Sequence, residues 1–180
     1  MNSRFSLLTL ATLLLIVMVS TSGCGPQQIT GVSVKWRPFA ELQPTFPSNT
    51  RPTMLYISQN DCHHCYKMKD TIFARPEIAK FINDHFDAVE INVDTDLPLM
   101  IEGRPYDYHP FHELLSIQGI PCYYFFASDG NIIGMLHGSQ TVLDFKRILN
   151  YTVNGHFGKT PYLQWLQTDE AKLDTLYGFW

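Results

Sequence analysis

The chain has 180 residues, 45% of them hydrophobic and 17% charged, with 13 Lys and Arg against 17 Asp and Glu for a net charge of −4. That composition supports one ordinary globular core and excludes a disordered chain, and no repeat of 20 to 50 residues marks a solenoid. The few basic residues are scattered, which excludes a nucleic-acid-binding face.

The N-terminus, "MNSRFSLLTLATLLLIVMVSTSGCG", has Arg4, then an apolar run from Phe5 to Val19, then small residues up to Cys24. This is the layout of a secretory signal over residues 1–23. The run is 15 residues long, short of the roughly 20 that span a bilayer comfortably, so an uncleaved anchor is the second choice. "TSGC" resembles a bacterial lipobox, which implies lipidation of Cys24 as the first mature residue. Thr21 stands where that motif usually has leucine, and ordinary cleavage after Ser22 is the competing reading. Loss of Arg4 leaves 12 basic against 17 acidic residues, a mature charge of −5.

Residues 24–52 read as a linker and N-terminal extension, with "VSVKW" as a short edge strand and "RPFAEL" as a helical turn. "PTMLYIS" is an apolar, β-rich strand stopped by "QND". "CHHCYKMKDTIFARPEIAKFINDHF" is helical, with Met68, Ile72 and Phe73 on a buried stripe and a break at Pro76, which opens the next helix. "DAVEINVD" is a second strand, Thr95 to Pro110 is loop, and "FHELLSI" is a short helix. "IPCYYFFASDGNIIGMLHG" is a hairpin around an Asp-Gly turn. "TVLDFKRILNYTV" puts Val142, Phe145, Ile148, Leu149 and Thr152 on one helical face behind Thr141 as N-cap, and residues 156–180 form a further amphipathic helix. The order β–α–β–α–β–β–α implies a right-handed parallel βαβ unit extended by an antiparallel pair, a mixed sheet with helices on both faces.

"DCHHC", residues 61–65, begins where the first strand gives way to helix. Free N–H groups and the positive end of the helix dipole stabilise a thiolate there, so Cys62 is the expected exposed attacker in disulfide exchange and Cys65 the inward-facing resolving thiol. His63 and His64 sit between them, where a cation would stabilise a thiolate, while the Asp61 carboxylate opposes thiolate formation.

Strand, C-x-x-C, helix, strand, helix, Ile-Pro, hairpin and helix together resemble the thioredoxin fold over residues 53–155. The resemblance implies an α/β domain with a mixed central sheet and an extra C-terminal helix. It implies a cis-proline loop at Ile120 and Pro121 lying across from the cysteines, and His137 and Gly138 in the substrate groove. "DCHHCYKMKDTIFARPEIAKFINDHFDAVEINVD" and the tail "YLQWL" are similar to the exported SoxW-like thioredoxins of bacterial sulfur oxidation, and more distantly to the C-terminal domain of the membrane reductant conductor. Two departures stand out. The buried carboxylate that thioredoxins carry six residues before the first cysteine is Tyr56 here, and their preceding tryptophan is Asp61. His64 matches the histidine of strongly oxidising enzymes with Cys-Pro-His-Cys.

A metal site is the competing reading of the motif. Four ligands for zinc need separated pairs, contiguous residues at a helix start cannot all face one ion, and His109 and His112 in "HPFH" form the one further pair. Cu(I) held by Cys62, Cys65 and a histidine is the stronger form of it, a copper-handling metallochaperone on the same fold. A purely structural bridge closes too short a loop to stabilise much. Cys122, directly after Pro121, is either a small buried hydrophobe or a third thiol near the pair.

The resulting expectation is an exported thiol–disulfide oxidoreductase, a reductase of periplasmic protein disulfides, that needs no dissociable cofactor or metal. Its partners would be disulfide-containing proteins, a membrane thiol carrier that recycles the dithiol, and the membrane itself through a lipid on Cys24; a soluble periplasmic form is the alternative.

Overall fold

The computed structural model describes residues 31–42, 50–101, 103–157 and 159–168. The expected signal segment and Cys24 lie outside them. Among the described residues no helix is long and apolar enough to cross a membrane.

A four-stranded sheet in the order β2-β1-β5-β6 forms the centre. Strand β1 (Thr53–Ser58) pairs in parallel with β2 (Asp87–Asn92) and antiparallel with β5 (Cys122–Phe126), which continues into β6 (Ile132–His137). Every residue of β1 is buried, so both faces of this strand are covered and the sequence reads as a continuous apolar run rather than an alternation. The period of two still sorts the side chains. Met54, Tyr56, Tyr123 and Phe125 join the cluster on one face, and Leu55, Ile57, Tyr124 and Phe126 join the cluster on the other.

The first face is closed by α2 (His63–Met68), a π-helical turn (Lys69–Phe73), α3 (Pro76–His85) and α5 (Val142–Val153). Met68, Ile72 and Phe73 are all buried there, as the stripe predicted. Pro76 sits in the first turn of α3, and Thr141 caps α5 by accepting the N–H of Asp144. The second face is covered by α4 (Tyr108–Leu115), through Phe111. The mixed α/β sandwich with parallel and antiparallel pairs is the architecture that the element order implied.

Three segments differ from the sequence-based expectation. The stretch from Thr95 to Pro110 is not all loop: it holds a small hairpin, β3 (Leu99–Ile101) with β4 (Arg104–Tyr106), and the start of α4. Strands of three residues, one containing Pro105, are too short to show a period. "VSVKW" makes no strand ladder; Arg37 alone bridges to Val89, and its N–H donates to the Ala88 carbonyl at 2.9 Å. Side chains fasten this segment instead, since Trp36 packs 5.1 Å from the Phe73 ring and 5.5 Å from Tyr56. After it comes α1 (Phe39–Leu42), the helical turn expected at "RPFAEL". In the tail, the described part of the anticipated helix is one turn, α6 (Tyr162–Trp165), and residues 169–180 lie outside the described set.

Candidate active site

Strand β1 ends at Ser58, and Asp61 turns the chain into α2 with a left-handed φ of 54°, a conformation that Asp tolerates better than most residues. Cys62 is the N-cap of α2, and Cys65 follows one turn later. Their sulfurs are joined as a disulfide with Cα atoms 5.2 Å apart. The Cys65 N–H donates to Cys62 Sγ at 3.1 Å, so a helix-start N–H already faces the atom that would carry negative charge after reduction.

Burial corrects one expectation. Cys62 is 8% exposed and Cys65 3%, so the first sulfur is only the more accessible of two largely covered atoms. Both histidines between them are exposed, with ring centroids 5.8 Å apart, and His64 Nδ1 lies 3.2 Å from Ser139 Oγ.

The Ile120–Pro121 bond is cis. Pro121 leads directly into β5, and its carbonyl accepts the Gly138 N–H at 2.7 Å. Gly138 has a φ of +75°, a left-handed turn that glycine adopts without a Cβ penalty. His137 is in register with Cys122. The structure therefore gathers Ile120, Pro121, His137 and Gly138 at one end of the β5–β6 ladder. Both ring nitrogens of His137 are buried without a hydrogen-bond partner among the described residues.

Behind the cysteines, Tyr56 occupies the place of the absent carboxylate. It is fully buried, stacks on Tyr123 at 5.3 Å, and its hydroxyl reaches the Cys65 carbonyl at 3.5 Å. Burial holds its phenol well above the ordinary range, with the Glu90 carboxylate adding to the effect. Glu90 was missed in the sequence. It pairs in register with Tyr56 from β2, accepts the Ser58 hydroxyl at 2.8 Å and meets Lys69 Nζ at 2.6 Å. The available signal was its position two residues after Ala88, on the face of β2 that turns toward the cysteine-bearing helix.

Cys122 is fully buried on the opposite face, in the α4 cluster, and burial pushes its thiol up to about 12. This supports the buried-hydrophobe reading. A thiol neutral in the fold but ionising near pH 8.5 when unfolded makes the unfolded state the weaker proton binder between those values. Stability is expected to fall as pH rises from about 9 toward about 12. At pH 8, iodoacetamide is expected to leave Cys122 unmodified in the native protein and to label it after unfolding, as peptide mass mapping would show. His109, expected in the loop that ends at Pro110, lies with His112 in α4. Among the described residues no three His, Cys, Asp or Glu side chains converge as a metal-ligand set.

Comparison with solved structures finds many chains of similar fold. The chain is similar to a thioredoxin-fold protein from Helicobacter pylori (18% identity, TM-score 0.52, covering 73% of this chain and 83% of that one). It is similar to a thioredoxin from Thermus thermophilus (22%, TM-score 0.51, 66% and 85%). It also matches the oxidised DsbD C-terminal domain of Neisseria meningitidis (18%, TM-score 0.50, 65% and 97%). At these identities the likeness is one of fold. No curated protein matches the chain in sequence. The family model described as a thioredoxin-like domain matches residues 40–152, more than half of the chain and all of the site from Asp61 to Gly138. With its C-x-x-C pair closed as a disulfide at the start of α2, the chain belongs to the thioredoxin-like domain family.

Proposed function

We propose that the protein is an exported thiol–disulfide oxidoreductase that reduces protein disulfides. The observation that carries this reading is the Cys62–Cys65 disulfide at a helix start with the Cys65 N–H directed at Cys62 Sγ. In the dithiol state, the Cys62 thiolate attacks one sulfur of a substrate disulfide. A mixed disulfide forms and the other substrate sulfur leaves as a thiolate. Cys65 then gives up its proton and attacks Cys62 Sγ, which closes the 62–65 bridge and releases the second substrate thiol. Two electrons and two protons pass to the substrate. A thiol of a recycling partner reopens the bridge by the reverse sequence, and no dissociable cofactor takes part.

The Pro121–Gly138 hydrogen bond, which holds these two residues together at one end of the β5–β6 ladder, supports a groove in which substrate backbone lies across from the cysteines. The signal-like N-terminus with Cys24 supports release on the periplasmic side of a bacterial membrane, held by a lipid. There a membrane thiol carrier would recycle the pair, as expected of a SoxW-like thioredoxin. His63 and His64, exposed beside the pair, tune its thiolate, and Asp61 acts against them.

Two assays decide between this reading and copper handling. The reduced protein is expected to reduce insulin disulfides catalytically, and Cu(I) is expected to bind without tight stoichiometry. Tight one-to-one copper with no insulin reduction would overturn the enzyme reading.

A further inference from the structure

The loop from β6 to α5, residues 138–141, touches the redox helix at two points. His64 Nδ1 lies 3.2 Å from Ser139 Oγ. One turn further along α2, Met68 Sδ accepts the Gln140 N–H at 3.2 Å. The loop is also fixed from its other side. Gly138 donates to the Pro121 carbonyl at 2.7 Å, and Gln140 Nε2 donates to the carbonyls of His137 and Gly138 at 3.0 and 3.1 Å. Four bonds therefore hold the loop without the Ser139 hydroxyl. What that hydroxyl does is meet His64.

We propose that Ser139 is a positioning residue for the Cys62–Cys65 pair: its hydroxyl, carried by the β6–α5 loop, orients the His64 ring and partners it in both charge states. The proposal rests on the exchange reaction above and on the tuning role given there to His64.

A hydroxyl suits this task because it both donates and accepts. It can donate to Nδ1 of a neutral ring, and after a bond rotation it can accept from the Nδ1–H of an imidazolium. The second bond has a charged donor and is the stronger of the two. An imidazolium beside the pair favours the Cys62 thiolate, which exists only after reduction. A partner that favours the charged ring therefore favours the dithiol. The loop residues 138–141 carry no charge. On its own helix, His64 has the His63 ring at 5.8 Å, the disulfide on either side in sequence, and Lys67 three residues on. Ser139 is thus the neutral partner of a ring whose other neighbours on α2 are His63, Lys67 and the sulfurs.

The test is redox equilibrium of the full mature chain with glutathione: protein disulfide plus two glutathione thiols gives protein dithiol plus glutathione disulfide. Ser139→Ala is expected to shift the equilibrium about threefold toward the protein disulfide, because only the difference between the charged-donor bond and the neutral one is lost, and at an exposed site that difference is small. With a tenfold change equal to 29.6 mV for two electrons, this is about 14 mV toward more reducing potentials. Ser139→Thr is expected to restore the wild-type value. In a His64→Ala background, Ser139→Ala is expected to have no effect, because the ring it acts through is gone. An unchanged potential in Ser139→Ala, or an equal shift with and without His64, would overturn the proposal. A wild-type disulfide that never opens in glutathione would instead overturn the exchange reading on which it rests.

Discussion

Cys62→Ser is expected to abolish disulfide exchange, by about 10³-fold or more in insulin reduction, because it removes the nucleophile rather than a supporting contact. Cys65→Ser is expected to do something different. The first attack survives, the resolving step is lost, and mixed disulfides on Cys62 accumulate, visible as a mass increase that dithiothreitol removes. The geometry supports the asymmetry: Cys62 Sγ accepts the Cys65 N–H at 3.1 Å, while Cys65 is the more deeply covered sulfur. Trapping on Cys65 in the Cys62→Ser variant, with none in Cys65→Ser, would reverse the assignment of attacker and resolver, and equal trapping on both would contradict the asymmetry.

Trp165→Ala is expected to cost about 3–5 kcal/mol, the range for a fully buried large aromatic. For a chain of this size that lowers Tm by on the order of 10 °C. Trp165 is 1% exposed and packs against Tyr151 and His156, each at 5.3 Å between ring centroids. It belongs to the same cluster as Tyr56, Phe73 and Phe145, although it lies beyond the matched family region. Its Nε1 has no hydrogen-bond partner among the described residues, so its contribution is packing. Trp165→Phe is accordingly expected to retain most of the stability in thermal unfolding, since it loses no hydrogen bond and only part of the volume. A small loss in Trp165→Ala would mean that the tail is an appendage rather than part of the core.

Much of this fold was legible because its signals are local. The Cys-x-x-Cys after an apolar strand, Pro76 at a helix start, Thr141 as a cap and Asp-Gly between β5 and β6 each depend on residues within a few positions. Those elements stand where the sequence put them. The features that escaped depend on contacts distant in sequence. Glu90 reads as a polar residue in an alternating strand until β2 pairs with β1 and brings it beside Tyr56. Ser139 reads as loop until 75 positions of chain fold back to set it against His64. The cover over Cys62 is likewise a tertiary property, which no helix-start argument contains. The β3–β4 hairpin was lost for another reason, since three-residue strands carry no period.

The 62–65 disulfide is expected to open and close in the folded protein. Equilibration in graded thiol–disulfide buffers, followed by alkylation and peptide mapping, measures it directly. The predicted result is a single two-electron transition in which Cys62 and Cys65 are labelled together and Cys122 is not, with a midpoint between about −270 mV, as in thioredoxin, and about −120 mV, as in the strongest periplasmic oxidant. A bridge that stays closed in buffers poised below about −300 mV, as structural disulfides do, would contradict it.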